Sequence, residues 1–385
     1  MPKTQLLLKF HSLTKIDLFT IAIVLGVYQS IILAVAFALT KHGKIKANRI
    51  LATFMLLLSY GLFVILLYDS RYYLDFPVLI MTETPLIFLF GPLLLFYTES
   101  LISKEFELAK RNLLHLIPFF LFVILLMPFY FQDAETKIQA CELNDNDPPL
   151  YHGYVIFATG HILFYISLIF FRVKKYSRNL KGLFSNLDKI NLWWVVRFSL
   201  ILVIYFLAIL LSYLLETNTF YGPLMIAMIG LLVYAGLKAL TQMDIHTTEE
   251  SKYNKKQKAK YETSALTAEM AKGYLSKLDE QIHSNKVYLN PNITLPELAS
   301  LIAMSTHHLS QILNEYHKMN FFEFINHYRV ENAKTQLIKP GKKHIKISEI
   351  AYISGFTTLS SFNAAFRKSE KMTPSHYRRT FSRLK

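Results

Sequence analysis

The sequence predicts an all-α protein in two parts: a seven-helix transmembrane bundle, then a smaller set of short, sharply capped helices. Three observations carry this. Seven apolar runs of about 19–24 residues precede Gln242, each long enough to cross a bilayer core as a helix. Beyond Gln242 the runs become short and amphipathic, and cap residues recur at their starts. The positive charge is also unevenly spread. Of the net +15, residues 246–385 hold +10 (22 Lys+Arg, 12 Asp+Glu), although they are the smaller part.

Composition removes the simpler classes. Of the 385 residues, 52% are hydrophobic and only 18% charged, against about 25% charged in a soluble chain. Thirty Phe and 23 Tyr exclude a disordered chain, and the single cysteine, Cys141, excludes a disulfide scaffold.

The apolar runs are Leu18–Leu39, Ile50–Tyr68, Phe76–Tyr97, Leu113–Phe131, Tyr151–Phe171, Leu192–Leu215 and Phe220–Leu240. The third is interrupted by Glu83, Pro85 and Pro92, which neighbouring membrane helices can accommodate. The odd loops between runs carry thirteen Lys/Arg (four in Thr40–Arg49, three in Thr98–Asn112, six in Arg172–Asn191), and the even loops two, Arg71 and Lys137. The positive-inside rule then puts the N-terminus outside and the C-terminus in the cytoplasm, although Lys3, Lys9 and Lys15 run against it. The first run also resembles a signal peptide, with Ala34-Val35-Ala36 as a cleavage site. Its apolar stretch is too long for one, and cleavage would reverse the loop charges.

Trp193 and Trp194 are expected at the cytoplasmic interface, with Arg197 snorkelling back to it. The acidic loop Gln132–Leu150 lacks the spacing of a calcium loop and reads as solvated. His161, Glu83 and Gln29 lie inside spans, with His115 near the inner end of the fourth. Ionisable groups there are either sensing residues or helix–helix hydrogen-bond partners.

Residues 242–263 read as a juxtamembrane linker whose lysines attract anionic lipid. The second part starts with an amphipathic helix, Ala265–Ser284, carrying Met270, Tyr274, Leu278 and Ile282 on one face. Thr294-Leu295-Pro296-Glu297 is a capping box that opens a short helix. After Ala303-Met304, Ser305 caps a second helix from Thr306 to about Tyr316, and so tight a pair is a helix-turn-helix. A long helix spans Phe321–Ile338, with Phe321, Ile325, Tyr328, Ala333 and Leu337 on one face. The pattern then repeats as Ile347–Ala351, a turn at Gly355-Phe356, and a helix Thr358–Ser369 capped by Thr357. Thr373 caps a last helix with Pro374 at its first position.

The order Ile350-Ala351-Tyr352, Gly355-Phe356, Phe362, Phe366, Thr373-Pro374, Tyr377-Arg378 resembles the arabinose-regulator (AraC-type) family of bacterial transcription factors over residues 264–385. Leu295–Asn314 and Phe324–Leu337, with Tyr328-Arg329, match as well. The resemblance implies two helix-turn-helix units on a linker helix, binding promoter DNA. Ala303 and Lys371 depart from it, since the family often has Gly at both places. Seven spans ahead of such a domain resemble a membrane-anchored subgroup of the family.

The second helix of each unit should enter the major groove. Base contacts are expected from His307, Ser310 and Gln311, and then from Leu359, Ser360, Ser361 and Ala364, with Thr358 and Asn363 beside them. Arg367, Lys368, Arg378 and Arg379 suit phosphates. For each polar residue the plain alternative is a solvated helix face. The motifs of catalysis, cofactor binding and metal binding are not found, so no enzyme, cofactor or metal is expected.

The expected protein is a regulator in the bacterial inner membrane. Its bundle senses an unknown small ligand or membrane state, transmitted through homodimer geometry or cleavage of the linker. Two rivals are a transporter with a regulatory C-terminal module, and a lipid-modifying enzyme using His161 and Glu83. The first would need paired polar residues along a path. The second is weakened by the unmatched depths of its two residues.

Overall fold

The computed structural model describes residues 18–40, 45–103, 106–142, 149–188, 190–214, 221–242, 268–339 and 345–381. The expected linker at 242–263 lies outside the described residues except for Gln242. Among the described residues there is no strand, and one isolated antiparallel bridge pairs Phe184 with Thr294. The chain divides into two compact units. One comprises Met1–Lys174 with Leu192–Gln242, and the other Lys175–Asn191 with Met243–Lys385.

The first unit contains α1 (Leu18–Ala38), α2 (Ile45–Asp69), α3 (Ile87–Ile102), α4 (Ile117–Tyr130), α5 (Ala134–Glu142), most of α6 (Pro149–Leu183), α7 (Trp193–Leu214) and α8 (Tyr221–Thr241). Among the described residues five helical stretches are long and apolar enough to cross a membrane: Leu18–Ala38, Ile45–Asp69, Pro77–Ile102, Lys110–Tyr130 and Gly153–Leu183. In α7 and α8 the apolar described stretches, Trp193–Tyr205 and Ile229–Thr241, are shorter, so the described residues establish five of the seven spans that the sequence suggests. The interrupted third run becomes 3-10 turns at Pro77–Leu79 and Thr84–Leu86, ahead of α3, which keeps Pro92 inside it.

Small residues set the closest approaches in this unit. A Cβ on Gly91 would lie 2.7 Å from Tyr165, and one on Gly236 2.7 Å from Leu33. Arg172 of α6 pairs with Glu99 of α3 at 2.9 Å. None of the apolar window of Lys110–Tyr130 is buried, and Phe120, Leu121, Ile124 and Leu125 stand exposed, a face suited to lipid rather than water. Trp194 faces inward within this unit. It is buried, and its Nε1–H donates to Gln242 Oε1 at 2.9 Å.

The second unit holds α9 (Ala268–His283), α10 (Leu295–Leu301), α11 (Thr306–Glu315), α12 (Phe321–Ile338), α13 (Ile347–Ile353), α14 (Leu359–Glu370) and α15 (Pro374–Phe381). Its core has two lobes that share α12. The N-terminal half of that helix puts Phe321, Phe324 and Ile325 among Leu278, Leu298 and Leu309. The C-terminal half puts Val330, Ala333 and Leu337 among Ile350, Phe362 and Phe366. Each lobe is one helix pair that buries its apolar stripe against this common strut. On α9 the buried face runs through Ala271, Leu278 and Ile282, while Met270 is 39% exposed, so the expected stripe is rotated at its start.

Candidate nucleic-acid interface and apolar cavity

The two helix pairs repeat one construction. Thr294 Oγ1 accepts from Glu297 N–H at 3.4 Å, and Glu297 Oε2 accepts from Thr294 N–H at 3.0 Å, closing the expected box on α10. Ser305 caps α11 by accepting from His308 N–H at 3.1 Å. In the second pair the cap of α14 is Thr358, which accepts from Ser361 N–H at 3.1 Å. The sequence had put that cap one residue earlier, at Thr357. Two adjacent threonines are equally able to cap, and only backbone direction decides between them.

The turns repeat as well. Ala303 sits at φ 52° while Met304 N–H donates to Ala299 O at 2.9 Å. Gly355 sits at φ 89° while Phe356 N–H donates to Ala351 O at 3.0 Å. Ala299 and Ala351 are fully buried, which lets each pair close. Lys371 ends α14 in the left-handed region at φ 56°. Both departures from the family's glycines therefore fall on positive-φ positions.

The residues expected at DNA divide by how free they are. On α11 His307 is exposed, and Ser310 and Gln311 are half-buried. Gln311 Nε2 donates to Glu315 Oε1 at 3.0 Å, and Asn314 Nδ2 donates to Ser310 O at 2.8 Å. On α14 Leu359, Ser360 and Ala364 are exposed and Asn363 is half-buried. The hydroxyls of Thr358 and Ser361 are held within the cap, where Ser361 Oγ donates to Thr358 O at 2.9 Å. Arg367 and Arg379 are exposed. Lys368 is exposed too, but its Nζ lies 2.6 Å from Glu323 Oε1. That hydrogen bond holds the Glu323 carboxyl below the usual carboxylate range. Arg378 is turned inward, and its Nη1 donates to Ile345 O at 2.8 Å.

Sequence reasoning gave no role to Arg329 beyond its place in the family match. The residue is 1% exposed, and among the described residues no carboxylate pairs with it. Nε donates to Tyr288 O at 2.7 Å, Nη2 to Asn290 O at 2.8 Å and to Ser185 Oγ at 3.1 Å, and Nη1 to Ser185 O and Asn326 Oδ1 at 3.2 Å each. Burial lowers its pKa to about 10, and the cation is satisfied by oxygen dipoles alone.

In the first unit a cavity of roughly 370 Å³ opens between α2, α3, α6, α7 and α8. Its walls are apolar, with Leu58, Phe90, Ile162 and Phe198 among them, and Glu83, Thr84 and Tyr154 lie on its lining. Glu83 Oε2 is buried there without a hydrogen-bond partner. His161 is not on the lining. Its ring packs on Phe88 at 5.1 Å and Tyr165 at 4.8 Å, so the structure does not bring the two expected sensing residues into one site. Among the described residues no group of three His, Cys, Asp or Glu could hold a metal.

Comparison with known proteins agrees with this geometry. Residues 298–380 match the helix-turn-helix domain family. An uncharacterised HTH-type transcriptional regulator of Escherichia coli (strain K12), YijO, is 34% identical over 89 residues, 23% of this chain and 30% of that protein. An uncharacterised HTH-type transcriptional regulator of Staphylococcus aureus (strain COL) is 30% identical over 93 residues, 24% of this chain and 12% of that protein. The chain thus covers under a third of either relative. Both are named as regulators and neither as an enzyme. No solved structure matches the chain.

Proposed function

The chain ends in a helix-turn-helix domain of the AraC type, and from that premise we propose that it is a membrane-tethered bacterial transcription regulator. The observation that carries the DNA reading is the repeat itself. Two capped recognition helices, α11 and α14, are fixed on one strut and carry exposed polar and basic residues outward. His307, Ser310, Gln311, Leu359, Ser360, Asn363 and Ala364 are the base-reading set. Leu359 and Ala364 offer only apolar contact, as to a thymine methyl. Thr358 and Ser361, held in the cap, act by orienting α14. Arg367, Lys368 and Arg379 take phosphates, and Arg378 supports α15 from within.

The apolar unit anchors the chain by seven spans in the inner membrane, with the helix-turn-helix domain on the cytoplasmic side. The loop charges support this orientation. The cavity is the sensing site. Apolar walls and one carboxylate suit an apolar molecule bearing a single donor or cationic head. Binding alters DNA occupancy only if two states of the bundle hold that molecule unequally.

Sequencing DNA captured with the full chain in cells tests the reading. Discrete sites sharing a two-part sequence motif are expected. An even spread over the genome rules out sequence-specific regulation.

A further inference from the structure

The segment that follows α6 is bonded to the helix-turn-helix domain. Leu183 packs against the first lobe of the core, and Phe184 forms the backbone bridge with Thr294, the cap of α10. Ser185, 2% exposed, donates from Oγ to Ile293 O at 2.6 Å and accepts two hydrogen bonds from Arg329. Asn186 Nδ2 donates to Asn292 Oδ1 at 3.3 Å. Asp188 then reaches the second helix pair, where its Oδ2 accepts from Thr357 Oγ1 at 2.8 Å and from Thr358 Oγ1 at 2.9 Å. One short stretch therefore touches the N-terminal ends of both α10 and α14.

Those ends are where a duplex has to approach. The N-terminal residues of a recognition helix meet base edges, and the first helix of the pair crosses the phosphate backbone. A carboxylate bonded to two hydroxyls at a helix N-terminus makes the contacts that a phosphate oxygen would make. It also sets a negative charge against the DNA. We infer that residues 183–188 are an intramolecular stand-in for the DNA backbone, so that DNA must displace them to seat α14. The inference rests on the DNA reading above and deepens it by naming what competes for the site. It also gives the buried Arg329 a second part. While the segment is docked, Ser185 supplies two of that cation's five acceptor contacts.

The test uses the full chain in lipid nanodiscs and a random-sequence duplex pool, enriched separately on the wild type and on Asp188→Ala. Asp188 is exposed, so its loss leaves the core intact. Glu349→Ala removes the same charge elsewhere in the domain and serves as the electrostatic control. A charge-assisted hydrogen bond, discounted for exposure, leads to about fivefold tighter binding by Asp188→Ala than by the control. In hydrogen exchange, the amides of 184–188 in the wild type should lose protection when DNA is added. Equal affinity of Asp188→Ala and Glu349→Ala, or unchanged protection with DNA bound, overturns the competition and leaves DNA binding standing. If no chain enriches any sequence, the DNA reading fails and the competition fails with it.

Discussion

A Cβ placed on Gly355 would lie 2.6 Å from the carbonyl oxygen of Tyr288, and Gly355 itself stands at φ 89°. The turn of the second helix pair is thus pressed on the chain that leads into the first. Gly355→Ala meets both a left-handed backbone and a backbone clash. A loss of about 2–4 kcal/mol is expected, read as a lower urea midpoint of the second unit. Ala303 occupies the same place in the first turn at φ 52°, already with a Cβ. Ala303→Gly should therefore raise stability by about 0.5–1 kcal/mol. A loss there, like the one at Gly355, would mean that the two turns are not equivalent.

The Lys368–Glu323 contact joins α14 to the first turn of α12, and it carries a pH signature. The folded Glu323 carboxyl titrates below its usual range, so its contribution is complete above the unfolded value and is lost as pH falls through the folded one. Both side chains keep solvent contact, and the pair should be worth no more than about 1 kcal/mol. Glu323→Gln should unfold earlier than wild type at pH 7, and the gap should close in acid. A gap that persists at low pH would trace the loss to the Asn320 cap that Glu323 also serves.

Much of the second unit was legible because its signals are local. Thr294, Ser305 and Thr373 announce helix starts through their own hydroxyls, and the stripe of Phe321, Ile325 and Leu337 fixes the buried side of α12. The docking of Ser185 and Asp188 was not legible. Their partners lie more than 100 residues away, and a Ser-Asn-Leu-Asp stretch after five basic residues reads as a solvated loop. The burial of Arg329 was not legible for a related reason. Most of the oxygens that satisfy its guanidinium come from Tyr288, Asn290 and Ser185, far away in the sequence. In the first unit apolarity marks the spans but not which faces meet, so the cavity and the inward turn of Trp194 had no sequence signal.

Cys141 of α5 tests the orientation. Burial, with the nearby Glu83 and Glu142 carboxylates, pushes the thiol up to about 11, so little reactive thiolate exists at pH 7. An impermeant maleimide added to intact spheroplasts should label it slowly at pH 7 and roughly tenfold faster one unit higher. Labelling only after lysis would place this loop in the cytoplasm and invert the proposed topology.

Gly61 offers a way to fill the cavity. It lies on the lining, and a Cβ there meets nothing within 4 Å. Gly61→Leu should occupy the space and also favour the helix by about 0.8–1 kcal/mol. With alkylamines of increasing length as probes, nanodisc-held wild type should show a saturable rise in Tm. Glu83→Gln should weaken that rise and Gly61→Leu abolish it. An equal rise in all three would mean that the amines act through the bilayer and not through the cavity.

Base-reading and phosphate-holding residues should separate in their response to salt. Gln311 and Asn363 stand on the exposed sides of α11 and α14, with amide groups able to donate and accept on a base edge. Replacing either by Ala should cost about 1–3 kcal/mol on the preferred duplex and little on random DNA, relaxing preference at one position. Gln311 has the added step of leaving Glu315, so its loss should read at the lower end of that range. Arg367→Ala should instead weaken all sequences alike and reduce the slope of log affinity against log salt by about 1. Lys368→Ala should change that slope by less, because its ammonium already has Glu323 as a counter-charge and releases fewer ions on meeting a phosphate. Titrations of the four variants at several salt concentrations decide the assignment. A salt-independent loss at Arg367, or a uniform one at Gln311, would exchange their roles.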